Sequence, residues 1–244
     1  MAKIITRETE QFIVIDNFLT KDLHRQVWEY LQTVRYEYAH TDKWVPAFHM
    51  ADKPPLWGEP ILSHDYSKNT QFSTYPTSTT IDLFFKEVLS LSDEIDHLIG
   101  KYEKDWAYFF IRPYIYPAES GLRWHTDGKY AAAGALVYYA HPYWSPYWGG
   151  ELLIDEDLSE TDKITASGDF DGAKRSMFSS SQHDATIMNT GLGQYILPKP
   201  NRLVLLKGGP YHTIKKVDSS AGDNIRVTIQ GFFQDPAQTI NRGK

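Results

Sequence analysis

From Trp106 the chain changes period. Upstream, apolar residues recur every three to four positions. From here Trp106, Tyr108, Phe110, Arg112, Tyr114 and Tyr116 fall on one side of an alternating pattern, and Ala107, Phe109, Ile111 and Ile115 on the other. Alternation of this kind belongs to a strand with two different faces. Further short runs follow at Leu122 to Asp127, Gly134 to Ala140, Glu151 to Ile154, Gln194 to Leu197, Leu203 to Leu206, Tyr211 to Lys215 and Arg226 to Phe233, with turn residues between them. Short strands punctuated by Gly, Pro and Asn read as antiparallel structure. The pattern predicts an α+β chain whose core is an antiparallel double-sheet barrel with helices packed on one sheet. Pro113 lacks a ladder donor, so its strand is expected to be an edge or to be bulged there.

The upstream part supplies the helices. Gln11 to Asp16 (QFIVID) reads as a strand, and Thr20 as the N-cap of a helix whose stripe is Leu23, Val27, Tyr30, Leu31 and Val34. Ile81, Phe84, Phe85, Val88 and Leu89 form a second stripe. Ile95, Leu98, Ile99 and Tyr102 continue it after Ser90-Leu91-Ser92, as one kinked helix or two, capped by the Thr79/Thr80 region. Between them, His40 to Thr80 is Pro-rich and without period, hence loop with short pieces of structure. Residues 155–193 are polar throughout and read as an insertion between strands, either a lid or an inert loop. At 244 residues the expectation is one domain, with 1–105 as N-terminal strand, helices and loop and 106–236 as the barrel.

Composition narrows the function classes. A formal charge of -6 provides no basic footprint, so no nucleic-acid partner is expected. There is no cysteine, which removes disulfide and thiolate chemistry and fits a cytoplasmic protein. The N-terminus has no apolar core of a signal peptide, and no apolar run is long enough to span a bilayer, so no membrane association is expected.

The chemistry concentrates at His125-Thr126-Asp127. Residues i and i+2 of an extended strand point the same way, so this triplet presents an imidazole and a carboxylate to one point. With a second histidine it would make a face of two imidazoles and one carboxylate, the donor set of non-haem Fe(II) oxygenases. The triplet alone is weak: with 9 His and 19 Asp in the chain, chance supplies about 0.7 such pairs. A second pair, His40-x-Asp42, lies outside any strand pattern and reads as the chance one. The third ligand is expected at His212, which begins a strand after Lys207-Gly208-Gly209-Pro210; only a closed fold can bring it to His125. On the next strand Arg226 and Thr228 share a face, and an arginine fork beside a hydroxyl is a receptor for a carboxylate.

In this order of motifs the sequence resembles the Fe(II)- and 2-oxoglutarate-dependent dioxygenases of the prolyl 4-hydroxylase-like branch. The resemblance rests on Tyr116-Pro117 with Gly121, His125-x-Asp127, Val137-Tyr138-Tyr139, Trp148-Gly149-Gly150-Glu151-Leu152, Pro200-Asn201-Arg202-Leu203-Val204, His212, and Arg226-x-Thr228 leading to Gly231-Phe232-Phe233. It implies a double-stranded β-helix, or jelly roll. It further implies Fe(II) held by His125, Asp127 and His212, O2 as oxidant, and 2-oxoglutarate as cosubstrate with its far carboxylate on Arg226. Thr228, Tyr116 and Tyr139 match positions that help bind the cosubstrate in similar enzymes; on the residues alone, both tyrosines fit a packed core equally well. The branch often carries Lys in the role of Arg226, and the longer spacing from His212 is accounted for by an enlarged hairpin loop at Val217 to Asn224. A carboxylate at 127, where similar halogenases carry a small residue, favours hydroxylation, with desaturation or ring closure as the alternatives.

Two other classes share these features: a non-catalytic binding or sensing protein that keeps the fold, and a cupin-like metalloenzyme without a cosubstrate. The substrate is a small molecule or a peptidyl side chain. The loop His141 to Trp148 (HPYWSPYW) offers an aromatic wall for it, or simply packs.

Overall fold

The computed structural model describes residues 2–39, 53–64, 72–125, 127, 132–155, 187–189 and 191–234. His40-x-Asp42 and most of the 155–193 insertion lie outside them. The described chain is mostly antiparallel β-sheet with few helices. In order, its elements are β1 (Ile4–Glu8), β2 (Phe12–Asp16), α1 (Lys21–Leu31), β3 (Glu37–Tyr38), β4 (Leu56–Trp57), β5 (Ile61–Leu62), β6 (Ser73–Thr74), α2 (Ile81–Leu89), α3 (Asp96–Ile99), β7 (Tyr108–Tyr116), β8 (Leu122–His125), β9 (Ala132–Tyr139), β10 (Leu152–Asp155), β11 (Gly193–Ile196), β12 (Leu203–Lys207), β13 (His212–Ile214) and β14 (Arg226–Gln234).

Two sheets face each other. The larger has the order β1-β2-β12-β9-β14-β7-β4-β3, with β5 also pairing β7 and β6; the smaller runs β11-β10-β13-β8. From β7 to β14 the chain crosses between the sheets at every step except β10 to β11. Alternation along the strands divides the side chains. Val227, Ile229 and Phe233 of β14 face the helices, in a core shared with Val27 and Leu31 of α1, Phe84, Phe85 and Val88 of α2, and Leu98 and Ile99 of α3. Arg226, Thr228, Gln230 and Phe232 alternate to the inner side, between the sheets. Burying the outward set against amphipathic helices is the main stabilising term, about 1.5–3 kcal/mol for each fully buried large apolar side chain.

The N-terminal elements form as their sequence predicts, with differences. The Thr20 hydroxyl accepts from Leu23 N at 3.2 Å and caps α1. Neither Thr79 nor Thr80 does this for α2. Instead the Asp82 carboxylate reaches back to Thr77 N, Thr77 Oγ1 and Ser78 N, each at 2.8 Å. The break after Leu89 yields two helices. β1 was not foreseen: its residues are exposed along its length, so no burial pattern marks it. Trp106 precedes its strand rather than sharing a face with Tyr108, and packs edge-on against Phe233 in the helix-side core.

Pro113 is neither at an edge nor at a bulge. β14 pairs β7 along its length, with Ile229 opposite Pro113. On the other side β4 pairs Tyr114 and Ile115, and β5 pairs Phe110 and Ile111. The Pro113 carbonyl accepts from Gly58 N at 2.9 Å, so its missing N–H points into the gap between these two short strands. Val217 to Asn224 is likewise not a hairpin loop. It carries the chain from β13 in the small sheet to β14 in the large one, through a 3-10 turn (Ser219–Ala221) capped by Asp218.

The turn before β12 explains the PNRLV motif. Asn201 Oδ1 accepts from Leu19 N (2.9 Å) and its Nδ2 donates to Leu19 O (2.8 Å). Arg202 Nε and Lys199 Nζ each donate to Asp16 at 2.7 Å. Burial alone would raise the pKa of Asp16, but these cations overcome it and bring it down to about 2. Because the folded value lies below the ordinary 3.8, the contribution is present above about pH 4 and is lost as pH falls toward 2. We expect Asp16→Asn to cost on the order of 2 kcal/mol at pH 7. Denaturant titrations at pH 7 and near pH 2 check this: the penalty must shrink at the lower pH.

Candidate metal centre and anion pocket

His125 and His212, 87 positions apart in sequence, are direct register partners in the β8–β13 pair. Their ring centroids lie 4.3 Å apart. Asp127 follows two residues after His125, just beyond the strand, and its carboxylate stands 3.8 Å from His125 Nε2 and 3.3 Å from His212 Nε2. All three side chains are buried, and one donor atom from each lies within 4.8 Å of the others.

The ring orientations have one cause. His125 Nδ1 lies 2.7 Å from the Arg123 carbonyl, and His212 Nδ1 lies 3.0 Å from the Pro210 carbonyl. A carbonyl only accepts, so each Nδ1 carries the proton and each Nε2 is the nitrogen presented to the cluster. Fixing the tautomer through a backbone acceptor is the usual support of metal-binding imidazoles. Burial disfavours charge on His212, but the adjacent Asp127 carboxylate outweighs it and raises its pKa. Burial likewise works against charge on Asp127, and His212 and His125 hold its pKa below the ordinary value. Two imidazoles and a carboxylate are a donor set for a borderline divalent cation. Among the described residues no other such group occurs.

The cavity beside this cluster is lined by Tyr114, Tyr116, Gln230 and Phe232 on the large sheet and by Leu122 and Ile214 on the small one. Arg226 sits toward the far end of β14. It is completely buried, and its Nε donates to the Gly150 carbonyl at 2.8 Å. The guanidinium lies over the faces of Tyr116 and Tyr139, at 5.1 and 5.0 Å from the ring centroids. Its Nη1 and Nη2, the Thr228 hydroxyl and the Tyr139 hydroxyl are buried without a hydrogen-bond partner. An unpaired buried guanidinium costs several kcal/mol. Such a set of orphaned groups is suited to an incoming carboxylate. Tyr116 Oη accepts from Gln230 Nε2 at 3.2 Å, which leaves its own proton to donate.

The Trp148-Gly149-Gly150 segment makes this approach geometrically feasible. Gly150 has φ +74, and a Cβ there would stand 2.8 Å from Arg226 Cδ. The aromatic loop His141 to Trp148 leaves β9 at this same end, opposite the mouth where His125 and Asp155 end their strands. It therefore caps the arginine end instead of walling the metal. Trp144 is buried and donates from Nε1 to Gly149 O at 3.0 Å. His141 is buried between the Val227 and Pro198 carbonyls, and burial brings its pKa down to about 4.

The structure thus brings together His125, Asp127 and His212 at one end of the interior, and Arg226, Thr228, Tyr116 and Tyr139 toward the other. Gln230 had no assigned role in the sequence; its position four after Arg226, on the same face, was the available signal. Gly150 was part of a motif, but its function as the acceptor for Arg226 has no sequence signature.

No protein-family model and no curated protein matches the sequence. Solved structures do match. A prolyl hydroxylase from Trichoplax adhaerens, in complex with a hypoxia inducible factor oxygen degradation domain peptide, is 16% identical with a TM-score of 0.63, covering 97% of this chain and 89% of that one. A prolyl-4-hydroxylase from Pseudomonas putida is 16% identical with a TM-score of 0.57, covering 93% and 94%. A 2OG-Fe(II) oxygenase family oxidoreductase from Burkholderia pseudomallei is 9% identical with a TM-score of 0.55, covering 92% and 85%. At these identities the likeness is one of fold.

We expect Gly150→Ala to destabilise the protein by about 1–3 kcal/mol, through strain at positive φ and displacement of Arg226. Gly222→Ala is the control, since Gly222 also has positive φ but has open space around its Cβ position. Thermal denaturation should show the larger loss for Gly150→Ala.

Proposed function

We propose that this protein is an Fe(II)- and 2-oxoglutarate-dependent dioxygenase. It hydroxylates an unactivated C–H bond of an amino-acid, peptidyl or small natural-product substrate and releases succinate and CO2. On this reading the two sheets are a double-stranded β-helix, and the chain is one domain. The carrying observation is that a buried cluster of two histidines and a carboxylate shares one interior with a buried guanidinium whose terminal nitrogens have no partner. Fold likeness to two prolyl hydroxylases and an Fe(II) oxygenase supports it.

The residues present fit both groups. His125, Asp127 and His212 would hold the iron through two imidazole nitrogens and a carboxylate oxygen. Arg226 would receive the far carboxylate of 2-oxoglutarate through Nη1 and Nη2, with Thr228 Oγ1 and Tyr139 Oη beside it. Iron, 2-oxoglutarate and O2 together supply the oxidising power for the hydroxylation. The protein positions and excludes. The carbonyls of Arg123 and Pro210 keep each imidazole Nε2 directed at the metal position. Gly150 O holds the arginine before any cosubstrate arrives, so little ordering remains for the binding step. Tyr116 Oη, with its acceptor role filled by Gln230, turns its hydrogen toward the cavity. Leu122, Ile214 and Phe232 keep the interior apolar, which strengthens charge interactions and keeps water from the oxidant.

Anaerobic addition of Fe(II) and 2-oxoglutarate should give a visible charge-transfer band, and admission of oxygen should yield succinate. Absence of both signals would mean a binding protein. Arg226→Gln should retain metal binding and raise the 2-oxoglutarate Kd at least about thirtyfold, the lower end of the 2–5 kcal/mol for truncating one partner of a buried charge pair. An unchanged Kd would point to a metalloenzyme without this cosubstrate. Asp127→Ala should weaken Co(II) binding by about a hundredfold or more, measured by calorimetry.

A further inference from the structure

A second arginine faces the same interior. Arg112 lies on β7 opposite Gln230 of β14 and two residues from Tyr114; Gln230 and Tyr114 both line the cavity that contains His125, Asp127 and His212. Its guanidinium is stacked over the Trp57 indole, 4.3 Å from the ring centroid, and Trp57 in turn packs edge-on against Tyr114 at 6.0 Å. Arg112 Nε is buried without a hydrogen-bond partner, and no carboxylate of the described residues stands within salt-bridge distance of the side chain. Burial drives the pKa of the Tyr114 hydroxyl up to about 12, and the charge of Arg112 and its side-chain hydrogen bond to this hydroxyl pull against the shift.

The Arg226 site does not account for this guanidinium. Arg226 and Gln230 are four residues apart on β14, about 14 Å along a strand, and Arg112 stands beside Gln230. Across the sheet the two side chains lean to opposite sides, Arg226 toward β9 and Arg112 toward β4. Arg226 is tied to Gly150 O and lies against Tyr116 and Tyr139, whereas Arg112 reaches over Trp57 of β4. With Arg226 committed to a cosubstrate carboxylate, Arg112 is a half-buried inward cation with no carboxylate partner among the described residues, and its open donors suit an incoming anion. Its indole backing holds the guanidinium plane in a fixed orientation, the arrangement suited to two parallel bonds with a carboxylate.

We propose that Arg112, stacked on Trp57, is the receptor for a carboxylate of the molecule that is oxidised, so that the substrate is a free amino acid or another small carboxylic acid rather than a residue inside a peptide chain. This rests on the dioxygenase reading for what happens to the bound molecule, but not for the binding itself. Trp57 is the built-in reporter.

The test is a titration followed by tryptophan fluorescence, on metal-free protein and on protein loaded anaerobically with Fe(II) and 2-oxoglutarate. The probes are L-proline, L-lysine, L-leucine and L-phenylalanine, the C-terminal amide of each, and glycyl dipeptides ending in each. At least one free acid should bind ten times more tightly than its amide, and Arg112→Gln should bring the two within twofold. A dipeptide that matches its parent acid identifies a peptide C-terminus as the source of the carboxylate and overturns the small-acid part of the proposal. Arg112→Gln should keep the 2-oxoglutarate charge-transfer band; its loss would place Arg112 in the cosubstrate pocket and overturn the assignment. Equal binding of acids and amides, no binding of any acid, or discrimination that survives the substitution also overturns it. Should circular dichroism show Arg112→Gln unfolded, Arg112→Met, which keeps an aliphatic stem over Trp57, carries the same comparison. If wild-type protein discriminates acid from amide yet forms no band, the receptor stands and the dioxygenase reading falls.

Discussion

Everything chemical in this molecule depends on one strand pair. β13 lies beside β8 with His212 opposite His125, and that register converts two histidines from distant parts of the chain into neighbours. A slip of one residue would turn one ring to the other face of the sheet. The small sheet is therefore the ruler of the centre, and the large sheet, clamped by helices on its outer face, provides the opposite wall. Asp127 is the exception in placement: it stands past the end of β8, and its carboxylate reaches toward both imidazoles.

The interior is polarised along its length. One end holds a carboxylate among imidazoles; the other holds a guanidinium between tyrosine faces, with backbone carbonyls directing both. The polar groups that point at protein atoms are satisfied: each Nδ1 on a carbonyl, Arg226 Nε on Gly150, Gln230 on Tyr116. The buried groups left over are Arg226 Nη1 and Nη2, Thr228 Oγ1, Tyr139 Oη, Arg112 Nε and Glu151 Oε2. Satisfied on one side and unsatisfied on the other is what a preorganised receptor looks like in hydrogen-bond terms.

Much of this was legible in the sequence, because strand alternation and i, i+2 spacing are local rules. β7 and β14, the stripes of α1 and α2, and the face shared by Arg226 and Thr228 follow from them. What was not legible depends on partners remote in sequence. Pro113 sits mid-sheet because β4 and β5 happen to leave a gap beside it. Val217 to Asn224 changes sheets instead of closing a hairpin. The aromatic loop goes to the arginine end because β9 runs away from the metal. β1 has no buried face to betray it, and Asp82, rather than the threonines before it, anchors the start of α2. Arg112 was visible as a charge in an apolar face, but its meaning depends on Trp57, a residue from a stretch without period.

The order of strands bears on how the protein is made. β14, the last strand described, lies in the middle of the large sheet, hydrogen-bonded to β7 on one side and β9 on the other. While the nascent polypeptide emerges from a ribosome, those two earlier strands present open edges toward each other with nothing yet to bridge them. Unpaired edges of this kind invite pairing with other chains. Completion of the large sheet therefore waits for β14 to be synthesised. A message cut short ahead of Arg226 would yield a product with an unfilled slot at its centre, a natural client for chaperones.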